Sequence, residues 1–179
     1  MEDVPTYTDW VIQTIDQNRN LATLAIFILA FGESLAVVSL VLPFWAMLVG
    51  IGTLIGASGS LNEFLLVWVA ASLGAACGDW LSYFLGKYYH AEIAQMWPLS
   101  RHPDLIPRGH DFFERYGVWA IVIGRFFGPL RAAVPLVAGI VEMPMRPFQI
   151  ANFASAFLWA GVLLAPGSFG LPWLWEFFG

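Results

Sequence analysis

The sequence predicts an all-α integral membrane protein. Two inverted repeats, each a re-entrant helical hairpin followed by a transmembrane helix, stand behind an N-terminal amphipathic helix. Three observations predict it. Of 179 residues, 59% are hydrophobic and only 12% charged, where a soluble domain carries about 25%. The few charges are gathered into short stretches that leave long apolar runs between them. Two of those runs are interrupted by glycine and proline at matching positions, 92 residues apart.

One membrane domain over residues 1–179 suits the length. Residues 1–20 carry Glu2, Asp3, Asp9 and Asp16 against Arg19. They lack the basic start and apolar run of a cleavable signal. Val4, Tyr7, Trp10, Val11 and Ile15 instead form one apolar stripe, as in a helix lying in the interface. Residues 21–61 hold a single charge, Glu33, but Pro43 and then Gly50, Gly52, Gly56 and Gly59 break the run. Residues 64–86, with Asp79 as their one charge, read as an ordinary span of about 20 residues.

The stretch 87–116 is polar and holds all three histidines, His90, His102 and His110. Pro98, Pro103 and Pro107 make it a surface connector. Its Arg108–Tyr116 end is expected along the headgroups, with Phe112, Phe113 and Tyr116 turned inward. Residues 117–141 form the second broken segment, with Gly124, Gly128, Pro129, Pro135 and Gly139. Residues 148–165 are a second ordinary span, and 166–179 a tail. Broken backbone at membrane depth is tolerated only where protein or a wet cavity surrounds it.

The repeat lies in Gly32-Glu33 with Pro43 ten residues on, and Gly124-Arg125 with Pro135 ten residues on. Paired interruptions in corresponding positions point to a transporter with its site near the midplane. If both broken segments re-enter, Lys87, Arg101, Arg108, Arg115 and Arg146 share one side of the membrane, which the positive-inside rule places in the cytoplasm.

Four ionisable residues fall inside the apolar runs: Glu33, Asp79, Arg125 and Arg131. Each costs about 2.5–3.5 kcal/mol at the centre of a span, so they must be paired, hydrated or used. Arg125 and Arg131 would face different ways on an unbroken helix. Unwinding at Gly128-Pro129 would let both converge, and two guanidinium forks suit a phosphate in bidentate geometry. Glu33 could pair with one arginine while the site is empty, and could take and release a proton. Asp79 is either a pairing or capping group or part of the proton path. A buried Glu33–arginine pair that merely fixes the fold is the alternative. It would leave the second arginine without a carboxylate unless Asp79 served.

The net charge of −5 argues against nucleic acid. Cys77 is the single cysteine, so neither an intramolecular disulfide nor a cysteine zinc site can form. The histidines with Asp104 and Asp111 match no metal-binding helix-face spacing. No metal and no cofactor are expected.

Several strings carry a family resemblance. The second half reads Tyr116-Gly117, then Gly124-Arg125-Phe126-Phe127-Gly128-Pro129-Leu130-Arg131, Pro135, Ala138-Gly139, Met143, Phe148, Asn152 and Trp159. The first span contains Gly74-x3-Gly78-Asp79-x3-Tyr83-x2-Gly86-Lys87. Over roughly residues 25–165 the chain resembles the DedA family of bacterial membrane proteins, whose domain also occurs in eukaryotic lipid scramblases. The resemblance implies two facing re-entrant hairpins in a multi-pass protein of the cell inner membrane. It implies transport of a lipid phosphate, foremost undecaprenyl phosphate in carrier recycling, with protons as the proposed coupling ion. Glu33, Arg125 and Arg131 match the family's essential acid and two arginines, with Asn152, Tyr83, Pro43 and Pro135 as supporting positions. In one place the chain departs: Trp45, after Pro43-Phe44, stands where family members usually carry a second acid.

The expected activity is therefore a membrane transporter and not an enzyme. Its partners are membrane lipids, a polyprenyl phosphate substrate and protons, and a homodimer stays open. A flippase or scramblase for another headgroup and a small-oxyanion transporter are the alternatives. A membrane phosphatase needs a histidine nucleophile and a second histidine as acid, and here every histidine lies in the polar stretch away from the arginines.

Overall fold

The computed structural model describes residues 19–35, 61–90, 92 and 105–165. Within them the chain is helical: α1 (Arg19–Ser34), α2 (Leu61–Tyr88), α3 (Leu105–Tyr116), α4 (Trp119–Phe126), α5 (Gly128–Ile140) and α6 (Met145–Ala165). The expected N-terminal helix, the Pro43 interruption, Trp45 and the 166–179 tail lie outside the described residues.

Helices α2 and α6 are long and apolar enough to cross a membrane. The 21 residues of α6 rise about 31 Å, close to a hydrocarbon core of about 30 Å. The 28 residues of α2 rise about 42 Å, enough to cross at a tilt or to emerge at one end. At 16 residues α1 is shorter than a span.

The packing is inside-out relative to a soluble protein. The buried face of α2 carries Ala70, Ala71, Ser72, Gly74, Ala75, Ala76, Gly78, Ser82 and Gly86. Leu65, Leu66, Val69, Leu73, Trp80, Leu81 and Leu85 of the same helix are exposed. Lipid offers no hydrophobic reason to hide leucine, so contact between helices rests on close approach across small residues. A Cβ on Gly74 or Gly78 would run into the Phe27 and Phe31 carbonyls of α1. Lower down, Gly86 lies against the Leu136 carbonyl of α5, and Gly139 of α5 against the Tyr83 carbonyl of α2. These two crossings bring α1 and α5 onto one face of α2. Helix α6 is held by Trp68, whose indole N–H donates to the Phe157 carbonyl at 2.8 Å and whose ring meets Phe157 edge-on at 5.3 Å.

The second broken segment is broken at one residue. Phe127 is extended (φ −101°, ψ 102°) between α4 and α5. The chain turns there, because Gly124 lies against the Val134 side chain on the other leg. Gly128-Pro129, expected to unwind, instead opens α5 with proline in the first turn, where a missing N–H costs nothing. Pro135, expected as a breaker, sits inside α5. The α5–α6 turn is a Schellman cap: Met143 N–H donates to the Ala138 carbonyl at 2.9 Å and Glu142 N–H to the Gly139 carbonyl at 3.0 Å. Glu142 has φ 55°, a place where glycine is easier.

Helix α3 rests on α5, with Gly109 against the Val137 side chain. Phe113 is buried and Phe112 half-buried, as expected, but Tyr116 is 40% exposed. It lies at the last turn of α3, where it leans on Phe112 (ring centroids 5.0 Å apart) and turns away from the core.

Because backbone occupies the space, Gly139→Ala must push α2 and α5 apart, at a cost of about 1–3 kcal/mol. Gly161→Ala meets nothing nearer than the Trp68 indole nitrogen at 3.4 Å and should be tolerated. Thermal unfolding in detergent should show a lowered midpoint for the first variant and an unchanged one for the second.

Candidate functional site

The four intramembrane charges meet in one buried cluster, assembled from four helices. Glu33 ends α1, Asp79 lies in the middle of α2, Arg125 is in the last turn of α4, and Arg131 is in the first turn of α5. The break at Phe127 matters here. It lets two arginines six residues apart enter one interior from the two legs of a turn, which a continuous helix would forbid.

Arg125 pairs with Asp79 through Nη2 and Oδ2. Its Nε donates to Ser155 Oγ at 2.9 Å, and Nη2 also donates to Asn152 Oδ1 at 2.6 Å and to the Asn152 carbonyl at 3.3 Å. Asn152 is in turn fixed by donating from Nδ2 to the Ala76 carbonyl of α2 at 2.9 Å and to Gln149 Oε1 at 3.3 Å. Ser155 completes the cradle by donating to the Asn152 carbonyl at 3.1 Å. Asn152 and Ser155 share a face of α6 because they are three residues apart.

Arg131 pairs with Glu33 through Nη1 and Oε1, and its Nη2 donates to Ser34 Oγ at 3.2 Å. Its guanidinium lies over the Trp159 ring, 3.7 Å from the centroid, a cation–π contact. Ser34 Oγ also lies beside Asp79, and Asp79 feels both arginines, so the two pairs form one charge network. Ser82 Oγ ties the end of α1 to α2 by donating to the Ser34 carbonyl at 3.3 Å.

The cluster is neutral as a sum of two cations and two anions, and its members are 2–7% exposed. Each charged group still keeps an unused atom. Among the described residues Glu33 Oε2, Asp79 Oδ1, Arg125 Nη1 and Arg131 Nε have no hydrogen-bond partner.

The other expected positions divide. Asn152 is in the cluster. Tyr83 is not: its hydroxyl donates to the Met143 carbonyl at 2.5 Å and its ring stacks on Phe148 at 4.3 Å, pinning α2 to the α5–α6 turn. Pro135 is buried one turn beyond Arg131, Gly128 and Pro129 contribute the backbone start of α5, and Pro43 lies outside the described residues. Reasoning from the residues did not place Ser34, Ser155 or Trp159 in the cluster. The three-residue offset from Asn152 was the available signal for Ser155, and Ser34 adjoins Glu33. At the surface, donor atoms of His110, Asp111 and Glu114 on α3 lie within 4.8 Å of one another, all exposed.

Removing Asp79 alone leaves Arg125 an uncompensated buried charge. Asp79→Leu should therefore cost about 3–5 kcal/mol. The Asp79→Leu/Arg125→Met double variant should recover much of that loss, and unfolding of the purified proteins in detergent measures it. Additive losses would mean the pair is not energetically coupled.

A family model described as the VTT domain matches residues 35–169. The chain is similar to the uncharacterized membrane protein BU139 of Buchnera aphidicola, with 32% identity over 88% of this chain and 61% of that protein. The inner membrane protein YabI of Escherichia coli is 34% identical over 86% of this chain and 59% of its own length. The inner membrane protein YqjA of the same species is 33% identical over 79% and 64%. The chain thus spans about three fifths of the length of these curated relatives. No solved structure matches it.

Proposed function

The chain belongs to the VTT-domain family, the DedA proteins of the inner membrane, and from that premise we propose that it is a transporter that carries a lipid phosphate across the bilayer on Arg125 and Arg131. The observation that carries the proposal is the pairing of two buried arginines, one on each leg of the turn at Phe127, with two carboxylates that a phosphate can replace. A phosphate, like the carboxylate it displaces, offers a pair of oxygens that a guanidinium fork can bind. Arg125 Nη1 and Arg131 Nε, which have no partner among the described residues, supply further donors.

Charge balance suggests how a proton takes part. A phosphate monoanion added to a neutral cluster leaves it at −1 in a low-dielectric interior, which is costly. Protonation of one acid restores neutrality. Glu33 is the natural acceptor, because among the described residues its arginine makes fewer other hydrogen bonds than Arg125 does. Proton uptake at Glu33 would then accompany phosphate docking and release Arg131.

In this reading the α4–α5 turn is a re-entrant hairpin followed by the span α6, and α2 is the span that follows the first broken segment, 21–61, most of which lies outside the described residues. The polar stretch faces the cytoplasm. Undecaprenyl phosphate is the leading substrate, and a phospholipid headgroup or a small oxyanion the alternative. An enzymatic reading finds little support among the described residues, since His110 is exposed on α3 and His90 follows the end of α2; His102 lies outside them.

The test is headgroup translocation in vesicles reconstituted with purified protein. Arg125→Lys and Arg131→Lys keep the charge but lose the fork. Each should slow translocation about ten- to hundredfold, corresponding to a charged hydrogen bond of about 1.5–3 kcal/mol, with the folded state verified separately. Full activity in either variant would overturn the proposal. Glu33→Gln tests the coupling by itself: translocation should cease to respond to an imposed pH gradient.

A further inference from the structure

An apolar groove runs along the outer face of α6 and touches the charge cluster at one residue. Its first half lies between α4 and α6, where Trp119 and Val122 face Ile150, Ala154, Ser155 and Leu158. The second half lies between α2 and α6, where Phe64 and Trp68 face Phe157, Leu158, Gly161 and Val162. Leu158, exposed on α6, borders both halves. Pro147, Ile150, Ala154, Leu158, Gly161 and Val162 recur at helical spacing and draw one stripe down α6. From Pro147 to Val162 that stripe is about 22 Å long.

The floor is small, at Ala151, Ala154 and Gly161, and the walls are aromatic, at Trp119, Trp68 and Phe157. The Trp68 N–H is already given to the Phe157 carbonyl, so the indole offers the groove only its apolar ring. Among the described lining residues Ser155 alone carries a hydroxyl, and it accepts from Arg125 Nε. An otherwise apolar lining whose polar point, among the described residues, is joined to a buried arginine has two ends of different chemistry.

We infer that this groove seats the hydrocarbon chain of the transported lipid, with its phosphate at Arg125 and its chain laid along α6 past Leu158. The inference rests on the phosphate reading of the cluster and adds where the rest of the molecule goes. The chain arrives from the bilayer and not from water, so the groove adds little hydrophobic driving force. Its contribution is alignment: a chain held along α6 stays in lipid while the headgroup is drawn inward beside Ser155. The substrate class is thereby a phosphate on a chain long enough to run the groove, in preference to a free oxyanion.

The test uses a long-chain alkyl phosphate carrying a diazirine at the chain end, with the full chain in vesicles of neutral lipid. Adducts should concentrate on the second half of the groove, at Phe64, Trp68, Gly161 or Val162. An unlabelled alkyl phosphate should compete, and the alcohol of the same chain should not. Ala154→Trp, which fills the groove from its exposed side, should cut this labelling about tenfold. Val69→Trp, at an exposed apolar position outside it, should leave it unchanged. Phosphate-selective labelling at other helices, or undiminished groove labelling in Ala154→Trp, overturns the groove and leaves the cluster reading standing. Labelling that the alcohol competes as well as the phosphate, at every position, overturns both.

Discussion

Four ionisable side chains in an apolar interior can persist only if they satisfy one another, and much of this structure follows from that requirement. Asp79 on α2 must reach Arg125 on α4, and Glu33 on α1 must reach Arg131 on α5. A side chain spans only a few ångströms beyond its backbone, so four helices must crowd together at one level. The glycines of α2 make the crowding possible. Gly74 and Gly78 let the backbone of α1 settle onto α2, which delivers Glu33 and Ser34, while Gly86 and Gly139 do the same for α5. Small residues at helix contacts and charges at the centre are one design, since the second needs the first.

The turn at Phe127 belongs to the same design. On a continuous helix Arg125 and Arg131 would look about 120° apart. Reversal of the chain at one extended residue sends both inward and leaves Phe126 and Phe127 on the outside, each exposed to the surroundings of the bundle. Proline at the start of α5 suits a helix that must begin abruptly. Meanwhile Tyr83 and the Schellman cap at Glu142 hold the far end of α5.

Much of this was legible from residue types. The long apolar runs told of a helical membrane protein, and the cost of charges inside them singled out the residues that cluster. Family strings added Asn152, which holds Arg125. Where the chain breaks was less legible. Pro135 and Gly128-Pro129 are breakers by propensity, yet both lie within α5, because a proline in a first turn has no N–H to lose and tertiary packing holds the helix through the other. The break falls instead on Phe127, a residue with no turn signal of its own. Tyr116 points outward because a helix end has few neighbours to cover it. Ser34, Ser155 and Trp159 carry no charge or motif, and only the packing of α1 and α6 against the arginines gives them a role. Pairing was undecidable in principle from sequence: Glu33 and Asp79 are equally good partners for either arginine until the helices are placed.

The two arginines are not held equally, and the difference bears on which of them yields. Arg125 is bound by Asp79, by Ser155 and twice by Asn152, which is itself tied to the backbone of α2. Among the described residues Arg131 is bound by Glu33 and Ser34 and rests on the Trp159 ring. The side chains of the first pair are 2% exposed and those of the second 7–8%. Freeing Arg125 therefore breaks a cradle that joins α2, α4 and α6, whereas freeing Arg131 breaks one ion pair and one weak hydrogen bond at the end of α1. A cation over an aromatic ring keeps part of its stabilisation when its carboxylate leaves, so Arg131 can change partners without becoming a bare charge. Under the proposed function, Arg125 is the fixed point that receives the phosphate beside Ser155, and Arg131 is the arm that leaves Glu33 to join it, with Trp159 steadying it in both states.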